Sequence, residues 1–308
     1  MSCSRDNKKL PLSLPHTNPT QGQGRNQDVP DDLKDKFECD GYVVLPHVLS
    51  NNEVDQLTDR LGHIFEGTFD RGESPDKMPP PAREGQRRGQ VRVQQVINVH
   101  KCDAAFRRLV TDEFLGGIVG HITSWDGVRL AQDQLWQKPP QASPLTFHRD
   151  SPYFMFSPDD VVTVWVALDD MEGELGPLEY VKGSHKWGKG RIGSSNAFFQ
   201  KGGGKDLLFS AAEREGIAPD DLEFVSMEGL KAGGVSIHDG LTWHGSGKNC
   251  SNHKSRRGFG IHYVPASVRF TSDALKSKLW RSYVDEDAEG TTLSDEYFPI
   301  VWQKEQGT

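Results

Sequence analysis

From about residue 128 the apolar spacing of the chain changes to a period of two, and that change does most to limit the folds open to it. In Val161-Val-Thr-Val-Trp-Val-Ala-Leu168, Val162, Val164, Val166 and Leu168 share one face, and Thr163, Trp165 and Ala167 share the other. Successive side chains of a strand alternate sides, so this is the signature of β-structure. In Ala131-Gln-Asp-Gln-Leu-Trp-Gln-Lys138, the residues Gln132, Gln134, Trp136 and Lys138 likewise fall on one face. Short strands broken by Gly, Pro and Asp turns, after an α-helical preface, predict a jelly-roll or barrel. The 32 glycines agree with a turn-rich, mainly β body.

The preface has helical spacing. Ser50-Asn-Asn-Glu53 is a capping box, and Val54, Leu57, Leu61, Ile64 and Phe65 follow at the intervals of one buried helix face. Phe65-Glu-Gly67 ends that helix, a loop rich in Pro, Gly and charge runs to about Gln90, and a helical pair is expected over 103–123. Neither a repeat nor a second core is visible. The expectation is a polar, disordered tail over 1–30 and one domain over 31–308. That domain divides into a helical preface (31–125), a β core (about 126–270) and a C-terminal extension (271–308).

A net charge of −8 argues against nucleic acid or an anionic membrane as the main partner. No apolar run approaches the roughly 18 residues a spanning helix needs. Cys3, Cys39, Cys102 and Cys250 form no CxxC motif and point to a reducing compartment, so a cytoplasmic location is expected. Lys9-Leu10 and His16-Thr17 approach an N-terminal peroxisomal signal, but the last position departs from it and Pro11 and Pro15 oppose its helix. Gln306-Gly307-Thr308 is not a peroxisomal address either.

The tripeptide His148-Arg149-Asp150 has the letters of a protein-kinase catalytic loop. A kinase needs an asparagine five residues after the aspartate, and here that position is Met155. Read instead as a strand, His148 and Asp150 point to one side and Arg149 to the other. Two histidines and one carboxylate leave three coordination positions open, which suits non-heme Fe(II) and oxygen chemistry. His244 is the best third ligand, with small residues after it in His244-Gly-Ser-Gly-Lys-Asn249; His238, in Ser236-Ile-His-Asp239, is the rival.

Between Lys138 and Tyr263 several blocks occur in one order and spacing. They are Gln137-Lys-Pro-Pro140, Phe147-His-Arg-Asp150, Gly176-Pro-Leu-Glu-Tyr-Val-Lys-Gly-Ser-His-Lys-Trp187, and His244-Gly-Ser-Gly-Lys-Asn249 leading to Arg256. Together they resemble the phytanoyl-CoA dioxygenase family of Fe(II)/2-oxoglutarate oxygenases. Asp40-Gly-Tyr-Val-Val-Leu45, read as helical, looks like the family's N-terminal element, so the resemblance spans roughly 32–270.

The resemblance implies a double-stranded β-helix, the cupin-like form of the jelly-roll. It implies that His148, Asp150 and His244 hold the iron. It also implies an arginine shortly after the distal histidine for the 5-carboxylate of 2-oxoglutarate. Arg256 and Arg257 compete for that role. Arg257 shares a face with Phe259, Ile261 and Tyr263, whereas Arg256 shares one with Gly258, Gly260 and His262, which has room for a ligand. Arg256 is therefore the choice, since a bidentate guanidinium needs that space. Ser246 resembles the family serine on the same carboxylate, Trp165 the family tryptophan near the cosubstrate, and Gln134 is an inward polar group beside it.

The cofactors so implied are Fe(II), 2-oxoglutarate and O2, with ascorbate as an accessory reductant. Succinate and CO2 are the coproducts, and a carboxylate ligand favours hydroxylation over halogenation. Tyr153, Phe154, Phe156, Trp187, Phe198 and Phe199 are candidate walls of an aromatic pocket, and His238 is a candidate substrate or supporting group. Lys186, Lys189 and Arg191 hint at an anionic small-molecule substrate. A glycine-rich segment over 188–204 reads as either a lid or a surface insertion. The rival readings are a cupin-type isomerase or other metal enzyme, and a β-helix binding module without turnover. Oligomeric state is left open.

Overall fold

The computed structural model describes residues 30–79, 92–188, 204–284 and 290–305. Two antiparallel sheets face one another. The larger runs, in spatial order, through β1 (Tyr42–Leu45), β9 (Val235–Asp239), β6 (Val162–Ala167), β11 (Arg256–Pro265), β3 (Gly127–Lys138) and β13 (Ile300–Gln303). On this sheet β2 (Gln94–Ile97) also pairs with β3. The smaller runs through β4 (Leu145–His148), β10 (His244–Ser246), β7 (Leu178–Val181) and β8 (Phe224–Ser226). This is the jelly-roll expected from the period of two. A short ribbon of β5 (Phe156–Ser157) and β12 (Arg269–Phe270) flanks it.

The alternation in β6 separates two cores. Val162, Val164, Val166 and Leu168 join Phe259, Ile261 and Tyr263 of β11 on the outer face of the large sheet. Helices cover that face: α1 (Leu33–Asp40), α2 (Asn51–Phe65), α3 (Ala104–Val110) and α4 (Glu113–Thr123). Trp165 and Ala167 point the other way and meet Leu178 and Tyr180 of the small sheet. The remaining helix, α5 (Asp206–Arg214), packs Leu208 and Ala211 against Phe147 and Trp243.

The expected helix starts hold. The Ser50 hydroxyl accepts from the Glu53 backbone N–H at 3.3 Å, the Glu53 carboxylate accepts from the Ser50 backbone N–H at 2.8 Å, and the helix runs to Phe65. One local expectation fails. Tyr42-Val-Val-Leu45 is a strand and not a helix, because Gly41 takes a left-handed conformation (φ 81°) that ends α1. The β-branched pair that follows then pairs with Val235–His238 along the edge of the large sheet. The flanking segments are thus part of the sheet: β1 and β2 come from the preface and β13 from the C-terminal extension. Among the described residues, no helix is long and apolar enough to cross a membrane.

Phe259 is fully buried and its ring meets Phe106 of α3 at 4.8 Å, tying helices to sheet. Phe259→Ala should lower unfolding free energy by about 3–5 kcal/mol, the range for deleting a core phenylalanine. Urea denaturation would show this as a lower midpoint, and a loss under about 1 kcal/mol would mean the helical layer is not held there.

Candidate metal and cosubstrate site

Strands β4 and β10 are neighbours, and their register sets His148 directly opposite His244, with ring centroids 4.2 Å apart. Each ring is held by its own strand. His148 Nδ1 bonds the Thr146 carbonyl at 2.8 Å and His244 Nδ1 bonds the Thr242 carbonyl at 2.9 Å. An imidazole that donates from Nδ1 has a lone pair on Nε2. Both Nε2 atoms lie 3.6 Å from Asp150 Oδ1.

Asp150 reaches this point differently from the strand rule. β4 ends at His148, and Asp150 has helical dihedrals (φ −82°, ψ −47°) in the turn beyond it. Its backbone N–H donates to the Gly240 carbonyl at 2.8 Å, and that bond fixes the turn. Its second oxygen, Oδ2, accepts from the Thr163 hydroxyl at 2.7 Å and from His238 Nε2 at 3.1 Å. Oδ1 is left facing the two imidazoles.

The electrostatics match. Burial, reinforced by His244, pushes the His148 imidazole down to about 3 and that of His238 to about 4. Burial alone would raise the Asp150 carboxyl, but His244 and the hydrogen bond from His238 hold it well below the usual carboxylate range. Ligand atoms of His148, Asp150 and His244 lie within 4.8 Å of one another, all buried. Two lone-pair nitrogens and one anionic oxygen converging on a single point are the donor set of a divalent cation.

The triad lines a cavity of about 1400 Å³ between the sheets. Arg256 lines it too; its Nη1 donates to the Gly176 carbonyl at 2.8 Å, and its Nε is buried with no hydrogen-bond partner among the described residues. Burial lowers its guanidinium to about 10. Its central carbon stands 5.7 Å from the Trp165 ring. Arg257 points to the opposite side and is engaged by both carboxylate oxygens of Asp169, the nearer contact being with Arg257 Nη2. The alternation along β11 therefore puts the two arginines on opposite faces, Arg256 toward the cavity and Arg257 toward Asp169.

Ser246 does not itself line the cavity, and it has a partner that was not foreseen. Lys138, fully buried, donates from Nζ to Ser246 Oγ at 2.8 Å and to the Gly247 carbonyl. Burial and then the charge of Arg256 drive its ammonium well below its ordinary range, against the pull of Glu179. A buried guanidinium with an unused N–H, close to a lysine amine and a serine hydroxyl, fits a carboxylate ligand.

Other expected residues divide. Tyr153, Phe154 and Phe156 line the cavity. Gln134 lines it at the register of Gly260, next to Trp165 on β6, with its amide engaged by Gln95 and Gln132. His238 is not free for a substrate, because Nε2 bonds Asp150 and Nδ1 bonds the Tyr180 hydroxyl at 2.9 Å. It supports the carboxylate instead. Trp187 packs by Phe147 and Leu208 in a different cluster, and Lys186 donates to the Cys39 carbonyl, so neither belongs to the cavity wall. Phe198, Phe199, Lys189 and Arg191 lie outside the described residues. Arg149 is buried beneath the site, over the Trp243 ring at 5.6 Å and donating to the Gly188 carbonyl.

Lys138, Thr163 and His262 are the site residues that sequence reasoning missed. His262 Nδ1 bonds Thr163 Oγ1 at 2.8 Å, one step out from Asp150. A signal existed, since all three fall on strand faces already read as inward.

A jelly-roll with a buried His-Asp-His set beside a buried arginine defines the class of non-heme Fe(II)/2-oxoglutarate-dependent dioxygenases, and this protein is one. Residues 37–258 match the Phytanoyl-CoA dioxygenase (PhyH) family, and the chain belongs to that family. It is 27% identical over 270 residues to the Caenorhabditis elegans Phytanoyl-CoA dioxygenase domain-containing protein 1 homolog, covering 76% of this chain and 90% of that one. It is 26% identical over 239 residues to the ectoine dioxygenase of Stutzerimonas stutzeri, covering 73% of each. The fold resembles that of the epimerase SnoN from nogalamycin biosynthesis, solved with Fe3+, alpha ketoglutarate and nogalamycin RO. That likeness has a TM-score of 0.67 at 23% identity and covers 88% of this chain and 98% of that one.

The Trp165 ring occupies the space beside Gly258, where any added Cβ would overlap it. Gly258→Ala should therefore displace the ring from Arg256 and weaken 2-oxoglutarate binding by about tenfold, the equivalent of one lost contact to a charged group. Calorimetric titration of the Fe(II)-loaded protein checks this; unchanged affinity would mean the ring does not position the arginine.

Proposed function

We infer that His148, Asp150 and His244 hold Fe(II), and that Arg256 and Ser246 receive the 5-carboxylate of 2-oxoglutarate. Trp165 and Gln134 border the stretch between these two points. The observation that carries this reading is that one cavity holds both the triad and an unpartnered buried guanidinium N–H. Bound there, Fe(II) and 2-oxoglutarate activate O2, with succinate and CO2 as coproducts, and the reaction is hydroxylation of a small molecule.

The chain's own residues then have distinct tasks. The carbonyls of Thr146 and Thr242 hold each histidine with Nε2 inward. Thr163 and His238 occupy Oδ2 of Asp150 and so present Oδ1 alone to the metal. A carboxylate in this position takes the place a halide would need, which favours hydroxylation. Lys138 orients Ser246 through its hydrogen bond to Oγ. Tyr153, Phe154, Phe156 and Trp280 give the cavity aromatic lining, with the Tyr153 ring 6.5 Å from that of His148. Against a cupin-type isomerase stands the buried Arg256, and against a binding module without turnover stands the intact triad in the same cavity.

Anaerobic protein with Fe(II) and 2-oxoglutarate should show the weak visible metal-to-ligand absorption of the chelate, with ascorbate keeping the metal reduced. His148→Ala should abolish the band; a wild-type spectrum without it, or a band that survives the substitution, sinks the assignment. Arg256→Ala should weaken 2-oxoglutarate binding about a hundredfold, the loss of two charge-assisted hydrogen bonds. Arg257→Ala should change it by less than about threefold, because only its bonds to Asp169 are removed. The reverse ranking would exchange the roles of the two arginines.

A further inference from the structure

One wall of the cavity carries a row of polar side chains, of which Gln134 alone has been placed beside the cosubstrate; Lys77, Gln95 and Gln132 have no task so far. Lys77, which bridges to Ile97 beside β2, donates from Nζ to Gln95 Oε1 at 3.2 Å. Gln95 Nε2 donates to Gln134 Oε1 at 2.9 Å, and Gln134 Nε2 donates to Gln132 Oε1. All four residues line the cavity.

The direction of this relay is not a matter of choice. An ammonium only donates, so Gln95 must turn its oxygen toward Lys77 and its nitrogen toward Gln134. The same logic passes to Gln134 and on to Gln132. Three amide oxygens are thereby engaged, while each amide nitrogen has a second hydrogen and Lys77 has further hydrogens to donate. The wall offers donors, and the amides polarise one another along the row.

Lys77 also has no carboxylate beside it among the described residues. The neighbouring Asp76 also lines the cavity, but its carboxylate is engaged by Asn98 Nδ2 at 2.6 Å, Lys101 Nζ at 2.8 Å and the Tyr283 hydroxyl. At the rim, Lys276 is paired with Asp273 at 3.0 Å, whereas Lys278 is exposed and has no ion-pair partner among the described residues. The cavity mouth therefore carries surplus positive charge on a chain whose net charge is −8. Lys77 is itself solvent-exposed among the residues that line the cavity, and the partial burial of its ammonium lowers its pKa. The same cavity is also lined by the apolar side chains of Phe154, Met155, Phe156 and Trp280.

We propose that Lys77, with the Gln95–Gln134–Gln132 relay, anchors the carboxylate of a small substrate whose apolar body lies along the aromatic lining. This rests on the reading of the cavity as an Fe(II)/2-oxoglutarate site and names the class of molecule it takes.

The test uses full-length protein loaded anaerobically with Fe(II) and saturating 2-oxoglutarate, titrated calorimetrically with octanoate, octanol and octylamine. Octanoate should bind about tenfold or more tighter than either neutral or cationic counterpart, the scale of one charge-assisted hydrogen bond. Lys77→Gln should erase that preference and Lys77→Arg should retain most of it. A wild-type protein with no preference for octanoate overturns the proposal whatever the variants do, and so does a preference that survives Lys77→Gln. The visible chelate band on the same wild-type sample separates the two readings. Its absence counts against the metal and cosubstrate site; its presence without a preference for octanoate counts against Lys77 alone.

Discussion

The site depends on how Asp150 is held between the sheets. Its backbone follows β4 of the small sheet, while Oδ2 is gripped by Thr163 and His238 of the large one. A buried carboxylate is costly unless its hydrogen bonds are made, and here they are made by groups from the opposing layer. The same clamp that satisfies one oxygen leaves the other aimed at two imidazole lone pairs. Sheet packing and ligand geometry are thus one arrangement. His262, through Thr163, and Tyr180, through His238, extend it outward.

A second dependence runs along β3 and β11. Their register places Arg256 across from Lys138 and Gly260 across from Gln134. Two cations brought together in a dry interior repel, and burial weakens both. A carboxylate bound there would offset both effects, which suits the surroundings of Arg256 to an anion. Gly258 supplies the room for Trp165 to lie against the guanidinium, a matter of space and not of backbone freedom.

The C-terminal extension closes the other end. Trp280 donates from its indole N–H to the Tyr153 carbonyl at 3.2 Å and packs against Phe154, Phe156 and Phe270. The turn that carries Asp150 is thereby covered by residues more than a hundred positions away. Nothing in the spacing of Trp280 or Phe298 announces that partner, and their role was not legible in the chain. The misreading of Tyr42–Leu45 has a similar origin. Four residues carry little periodicity, and their state was decided by the open edge of β9 that they met.

What the sequence determined by itself was local or periodic. The capping box at Ser50 depends on contacts three residues apart, and the faces of β6 and β11 depend on strict alternation. That alternation was enough to separate Arg256 from Arg257 and to turn Trp165 inward. The pairing of His148 and Asp150 was also legible, although through a turn and not a continuous strand. Only the tertiary structure decided that His238 serves the carboxylate, that Lys138 meets Ser246, and that Lys77 heads a row of glutamines. Each of these is a hydrogen bond between residues 18 to 108 positions apart. A side chain's own chemistry gives its capacity to donate or accept, but the partner that uses that capacity is chosen by the packing of one sheet against another.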